Sequence, residues 1–284
     1  VLRTDCPHFF KFRINDETEE EFATRCADNL EKLIQKEGSD TIGAFIAEPI
    51  MGAGGVIVPA SSYFEKIQKV LKSYNILFIA DEVICGFGRT GNMWGCQTFN
   101  LEPDMITCAK ALSSSYLPIS ALFINDKIYE AVKEKSGEVG VFGHGYTYSG
   151  HPVPAAVALE TLKIYEDRDI IGHVRKMAPI LQDGLRLFSQ HALVGEVWGV
   201  GLIAAVELMA DREKVVSFEA GAKVGPRLQA LAEENGLLVR AMGDSIGFCP
   251  PLIIGEEDIG LIIERFGKTL DAGLEWAHRE GLVT

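Results

Sequence analysis

The sequence predicts an α/β protein with a mainly parallel sheet, and three observations carry the prediction. Residues 76–83 begin as bare hydrocarbon, Ile-Leu-Phe-Ile-Ala, and reach Asp81 and Glu82 without polar alternation, the pattern of a strand buried on both faces. A second apolar run, Met105–Cys108, ends in Ala109 and Lys110. Runs of this length alternate with amphipathic segments through the first half of the chain, as strands joined by helical crossovers do.

Each element has its own signal. Residues 16–38 read as a helix: Thr18 and Glu21 suit a capping box, Phe22, Cys26, Leu33 and Ile34 share a face, and Gly38 stops it. A strand over 43–48 is ended by Pro49 and the glycines of MGAGG. Ser62 with Glu65 opens a helix that carries Phe64, Ile67 and Leu71 on one side. Strands follow over 76–83, 105–108 and 119–124. Beyond Gly150-His151-Pro152 the pattern turns helical over 155–190, with a break at 167–169. Strand signals over 194–207, a helix over 221–234 and strands over 237–240 and 246–249 come next. Ile259, Ile262, Ile263, Phe266, Leu270 and Leu274 then recur at helical spacing. Two domains are expected, an α/β unit over 1–167 and an α+β unit over 168–284.

Composition narrows the function. A chain of 284 residues, 47% apolar and 24% charged, is long enough for two domains and ordinary for a globular protein. Its formal net charge of -13 excludes nucleic acid and anionic membrane surfaces as natural partners. The six cysteines form no CxxC pair, which argues for reduced packing residues in a cytoplasmic compartment and against a disulfide framework or a metal site. No segment is long and apolar enough to span a bilayer, and no signal peptide is read at the amino terminus.

The chemistry sits at two strand ends. In open α/β sheets ligands bind beyond the carboxyl ends of the strands, and an ionised acid delivered there needs a cationic partner. Asp81 and Lys110 would meet in one cleft as acid and amine. A lysine in an apolar pocket releases its proton readily and attacks an aldehyde cofactor. If the aldehyde is pyridoxal phosphate, an acid against the pyridine nitrogen makes the ring an electron sink. A bland alternative stays open from these features alone: Asp81 caps a turn and Lys110 reaches solvent. An apolar strand ending in Asp-Glu also suits the metal-holding strand of a P-loop ATPase, but the chain has no GxxxxGK[ST] loop. Nor does GFGRTG match a dinucleotide fingerprint.

On AFIAEPIMGAGG (44–55), ADEVICGFGRTG (80–91), PDMITCAKALSSSYLPISA (103–121), HGYTYSGHP (144–152) and GLLVRAMGDS (236–245), the chain resembles the class III (omega) aminotransferases. These are pyridoxal-phosphate enzymes of fold type I, and the resemblance covers nearly the whole chain. It implies a cofactor-binding α/β domain with helices on both faces of a mainly parallel sheet, followed by a smaller α+β domain. Lys110 is implied as the Schiff-base lysine and proton shuttle, Asp81 as the pyridinium partner, Val83 as packing on the ring, and Glu48 as a hydrogen-bonding residue behind it. Thr147 is implied to reach the phosphate held by the neighbouring subunit, hence a homodimer with shared sites. Arg240 is implied as a mobile arginine that holds a substrate carboxylate.

Two small positions narrow the branch. Many relatives acting on terminal amines of amino acids carry a glutamate where Ala53 stands and a glutamine where Ile84 stands. Both changes resemble the amine:pyruvate and β-alanine:pyruvate branch. The expected reaction is a ping-pong transfer from a primary amine or ω-amino acid to pyruvate or a similar keto acid. Other fold type I chemistries (lyase, decarboxylase or aminomutase) and an inactive fragment that needs a partner chain are the alternatives. The family's upstream glycine-serine phosphate loop and stacking aromatic residue have no counterpart here. Trp198, where relatives have an arginine in a VRGxGL segment, is left without a role.

Overall fold

The computed structural model describes residues 1–212 and 214–283. Its first sheet is built from β1 (Ala44–Ala47), β2 (Leu77–Asp81), β3 (Met105–Cys108) and β4 (Ala121–Ile124) in that spatial order. The first three strands are parallel and β4 closes the edge antiparallel. Helix α2 (Glu19–Glu37) follows a short turn, α1 (Phe9–Phe12), and starts with the capping box read from the sequence: Thr18 accepts from the Glu21 amide, and the Glu21 carboxylate accepts from the Thr18 amide at 2.9 Å. It buries Phe22, Cys26, Leu30 and Ile34 against Phe64, Ile67 and Leu71 of α3 (Tyr63–Ser73). Phe78 and Ala80 of β2 close that core from the sheet side.

Two expectations need correction here, and one helix has no counterpart in the sequence reading. Ser62 precedes α3 but makes no side-chain cap, because its hydroxyl is turned to Glu20 of α2. The β2 strand is not buried on both faces. Phe78 and Ala80 are buried, whereas Leu77, Ile79 and Asp81 are half-buried, and their neighbour Ile46 is 58% exposed. The reason is that α2 and α3 both pack on the Phe78 face. Finally, α5 (Asp126–Val139), missed in the sequence, is a surface helix with no buried residue, capped by Asn125 through the Ile128 amide at 3.0 Å. A helix that buries nothing leaves no apolar period to read.

A short helix, α4 (Gly95–Phe99), lies between β2 and β3. The second half begins with α6 (Pro152–Asp167) and α7 (Ile170–Arg186), broken at Asp169 in a left-handed conformation. A second, antiparallel sheet follows, in the order β5 (Val194–Val200), β6 (Ile203–Leu208), β8 (Ser245–Phe248), β7 (Arg240–Met242). Helices α8 (Val224–Glu234) and α9 (Glu256–Arg279) pack against it, with Leu181, Leu185, Val206, Leu228, Phe266 and Leu270 in a common core. The strand expected at 237–240 starts only at Arg240, because the Leu237 amide instead closes the end of α8 by bonding the Ala232 carbonyl at 2.8 Å. The larger core also takes in Cys108 of β3 and Phe87 and Leu112 from the turns that follow β2 and β3, so the two sheets share apolar packing. Among the described residues no helix is long and apolar enough to cross a membrane.

One buried charge ties the amino-terminal segment to the second sheet. Glu207 on β6 is 1% exposed and pairs with Lys11 of α1. Burial pushes its carboxyl above the usual range, and Lys11 pulls it back. A carboxyl raised in the folded state binds its proton more tightly there than in the unfolded chain, so stability falls as pH climbs from the ordinary carboxylate range through the folded value. Lys11→Met is expected to lower unfolding free energy by about 2 kcal/mol at pH 8. That is less than the roughly 3–5 kcal/mol of a fully enclosed pair, because 31% of the Lys11 side chain stays in solvent. The deficit should shrink as Glu207 takes up a proton on acidification, and a deficit in urea titrations that stays constant between pH 8 and pH 5 would count against this account.

Candidate active site

The carboxyl ends of β2 and β3 put Asp81 and Lys110 on neighbouring strands. Asp81 is in register with Thr107, and Lys110 lies three residues beyond it. Lys110 opens a short 3-10 turn with φ +45°, and Ser114 and Ser115 downstream are left-handed as well (φ +47° and +63°). Three non-glycine residues in that region cost of order 1–3 kcal/mol each and persist only where surrounding structure dictates them, which marks this loop as a candidate site.

Lys110 lines a cavity of about 770 Å³ together with Gly52, Ala53, Val83, Ile84 and Arg240. Its side chain is exposed, so the apolar enclosure expected from sequence is not met among the described residues. Tyr116, which also lines the cavity, is 80% exposed. Asp81 does not line this cavity. With Glu48 it lines a second one, and the step from Met51 to Gly52 divides the two. One Asp81 oxygen accepts the Val83 amide at 3.1 Å, so the turn-capping alternative is partly realised. The other oxygen has no hydrogen-bond partner among the described residues. Glu48 links the two groups: burial raises its carboxyl, the Gly52 amide donates to it at 2.9 Å and lowers it, Asp81 raises it and Lys110 lowers it.

The second carboxylate of the pair has a different fate. Glu82 is fully buried and accepts the Gly95 and Cys96 amides at 2.8 and 2.6 Å, capping α4. Strand alternation sends Asp81 to the Leu77–Ile79 side and Glu82 to the other, so only the first acid serves the site. Ile84 fills the space over Gly52, where an added Cβ would find the Ile84 Cγ2 at 3.2 Å. Arg240 is exposed in the cavity wall, and the acids Asp244 and Glu207 are engaged elsewhere. Asp244 accepts the Gly225 amide, and Glu207 pairs with Lys11. Thr147 lies in an exposed stretch beside Tyr146 (79% exposed) and Tyr148 (78% exposed), outside both cavities.

Sequence reasoning missed Arg89. Its guanidinium donates to the Leu202 carbonyl at 2.9 Å and the Pro250 carbonyl at 2.7 Å, so it docks the second sheet onto the glycine-rich turn while lining the cavity. The signal available was its place inside GFGRTG, a turn whose glycines alone drew notice. Among the described residues no group of His, Cys, Asp or Glu is placed to hold a metal.

The donor set fits an aldehyde cofactor with a basic ring nitrogen: a free amine at Lys110, an open carboxylate oxygen at Asp81, and a half-buried acid at Glu48 whose carboxyl feels the charge of both. Comparison with known proteins agrees. The model of the aminotransferase class-III family matches residues 2–270. A γ-aminobutyrate transaminase 3, chloroplastic, from Solanum lycopersicum is 52% identical over 270 residues, covering 95% of this chain and 52% of that protein. A probable γ-aminobutyrate transaminase 3, mitochondrial, from Oryza sativa subsp. indica is 52% identical, covering 96% and 53%. Among solved structures, the ω-transaminase from Pseudomonas jessenii in complex with PMP superposes with a TM-score of 0.93 at 52% identity, covering 95% of this chain and 60% of that one. A transaminase with L-ala gives 0.92 at 52% identity, covering 95% and 63%. The chain spans about half the length of the curated relatives it matches.

Proposed function

Because the chain belongs to the class-III aminotransferase family, we propose that it carries the lysine, the ring-nitrogen acid and the substrate arginine of a pyridoxal-phosphate-dependent transaminase. When bound, the cofactor would supply an aldehyde carbon able to carry an amino group and a pyridinium ring that withdraws electrons from it. Lys110 Nζ holds the cofactor at rest and then moves a proton at the substrate carbon. The open oxygen of Asp81 keeps the ring nitrogen protonated, Val83 packs against the ring, and Glu48 hydrogen-bonds behind it. Arg240 orients a substrate carboxylate through its planar fork. Ala53 and Ile84 place no acid or amide beside that arginine. Their apolar surface supports a primary amine or an ω-amino acid as donor and pyruvate or a similar keto acid as acceptor, in ping-pong order.

The observation that carries this reading is the free amine of Lys110 on a strained turn beside the carboxyl end of β2, in one cavity with Arg240. Thr147, in its exposed aromatic loop, supports a homodimer in which it serves the neighbouring subunit's phosphate. Two separate sheets support a division into a cofactor domain over 1–167 and a small domain over 168–284. All six cysteines are free, which supports a reducing, cytoplasmic compartment, although the relatives named above are called chloroplastic and mitochondrial.

The test is chemical capture. The chain is incubated with pyridoxal phosphate, reduced with borohydride and mapped by peptide mass. The label is expected on Lys110 at a stoichiometry near one, and label spread over surface lysines would defeat the assignment. Stoichiometric consumption of keto acid after amine treatment separates transamination from lyase, decarboxylase and mutase chemistry on the same fold.

A further inference from the structure

We propose that Trp198, with Ser245, is a positioning pair that latches the 51–57 loop to the second sheet and thereby fixes the substrate-facing wall of the Lys110 cavity. The Gly55 carbonyl accepts two hydrogen bonds from two different strands, the Trp198 indole N–H at 3.2 Å and the Ser245 hydroxyl at 3.3 Å. The loop needs outside support. Val56, a β-branched residue, sits at φ +55°, a conformation that costs of order 1–3 kcal/mol and holds only when surroundings impose it. Gly55 at φ +122° faces Ser245 closely enough that an added Cβ would lie 3.3 Å from its hydroxyl.

Inside the loop, Met51 and Ile57 exchange backbone bonds of 3.1 and 3.0 Å, and the Val56 amide bonds the Gly52 carbonyl at 3.0 Å. At its other end the Gly52 amide is held by Glu48. The loop is therefore pinned twice, once by an acid near Lys110 and once by the second sheet. Ala53 lies between the pins, Gly52 at one and Val56 next to the other, and all three line the cavity with Lys110 and Arg240. The indole is itself fixed, with His8 edge-on at 4.8 Å and Phe10 at 6.5 Å. A single donor on a rigid, packed ring sets one bond direction, which a long flexible arginine at this position would not.

This inference rests on the transaminase reading for its consequence: losing the latch loosens the wall that meets the substrate and leaves Lys110 Nζ alone. Trp198→Phe keeps the ring and removes the donor, and Ser245→Ala removes the other together with that hydroxyl's bond to Glu207, so Trp198→Phe is the cleaner variant. Hydrogen exchange on the full chain is the first readout. Amides of 51–57 should exchange about 3- to 10-fold faster per deleted donor, while Ile79 and Ala80 in β2 keep their parent rates. Amides of 51–57 that exchange at the parent rate in both variants would overturn the latch. The second readout is turnover of a carboxylate-bearing amine, with KM raised several-fold and kcat within about twofold; a fall in kcat at unchanged KM would overturn the positioning role. The exchange arm needs neither cofactor nor activity. A failed transaminase reading would silence parent and variants alike yet leave the exchange result standing, and a failed latch would show in a parent that still transaminates.

Discussion

A Gly201→Val chain is expected to lose roughly 2–6 kcal/mol of folding stability, a large share of the about 5–15 kcal/mol typical of a native protein. Gly201 turns the β5–β6 hairpin at φ +63°, where a β-branched residue pays about 1–3 kcal/mol. The added side chain would also strike backbone, not a yielding side chain: the Arg89 carbonyl is its nearest neighbour, and Thr90 Cα follows at 2.6 Å. Overpacking of that kind costs about 1–3 kcal/mol more. The clash falls where the two sheets meet, because the Leu202 amide bonds the Arg89 carbonyl at 2.9 Å, and Gln182 holds the Gly201 carbonyl at the same distance. Forcing the hairpin away would break the Arg89 bonds to Leu202 and Pro250 as well. An unfolding free energy from urea titration within about 0.5 kcal/mol of the parent would show that the contact does not hold the sheets together.

That junction also explains what could be read in advance and what could not. The capping box of α2 was legible because Thr18 and Glu21 are three residues apart and satisfy each other locally. Ser62 carried the same local signal and failed, since Glu20 of another helix claims its hydroxyl. The strand ends at Asp81 and Cys108 were legible from hydrocarbon runs, and the divergence of Asp81 from Glu82 follows from the two-residue period of a strand. By contrast, Arg89 reaches Leu202 across 113 positions and Pro250 across 161, and no window of sequence contains both partners. Trp198 had no role in its own segment for the same reason, as Gly55 lies 143 positions away. The candidate site was legible where chemistry sits at the end of a strand, and illegible where its walls come from chain brought back from the second sheet.

Lys110→Ala is the larger expected effect on function. On the proposed reading this one amine both anchors the cofactor and carries the proton, and removing the proton-transfer role alone costs about 10²–10⁴ in rate. Lys110→Arg should fail as badly, because a guanidinium stays protonated near neutral pH and can neither attack an aldehyde nor accept a proton. Stability should move little in either variant. The side chain is exposed and enters no ion pair among the described residues, and substitutions at such positions fall within about 0.5 kcal/mol. Small primary amines added from solution should restore part of the lost turnover in the alanine variant, since they replace the missing base without touching the fold. The decisive comparison is single-turnover rate against thermal midpoint: a rate that collapses at an unchanged midpoint identifies a chemical role for Nζ, whereas an alanine variant that turns over at the parent rate removes Lys110 from the mechanism.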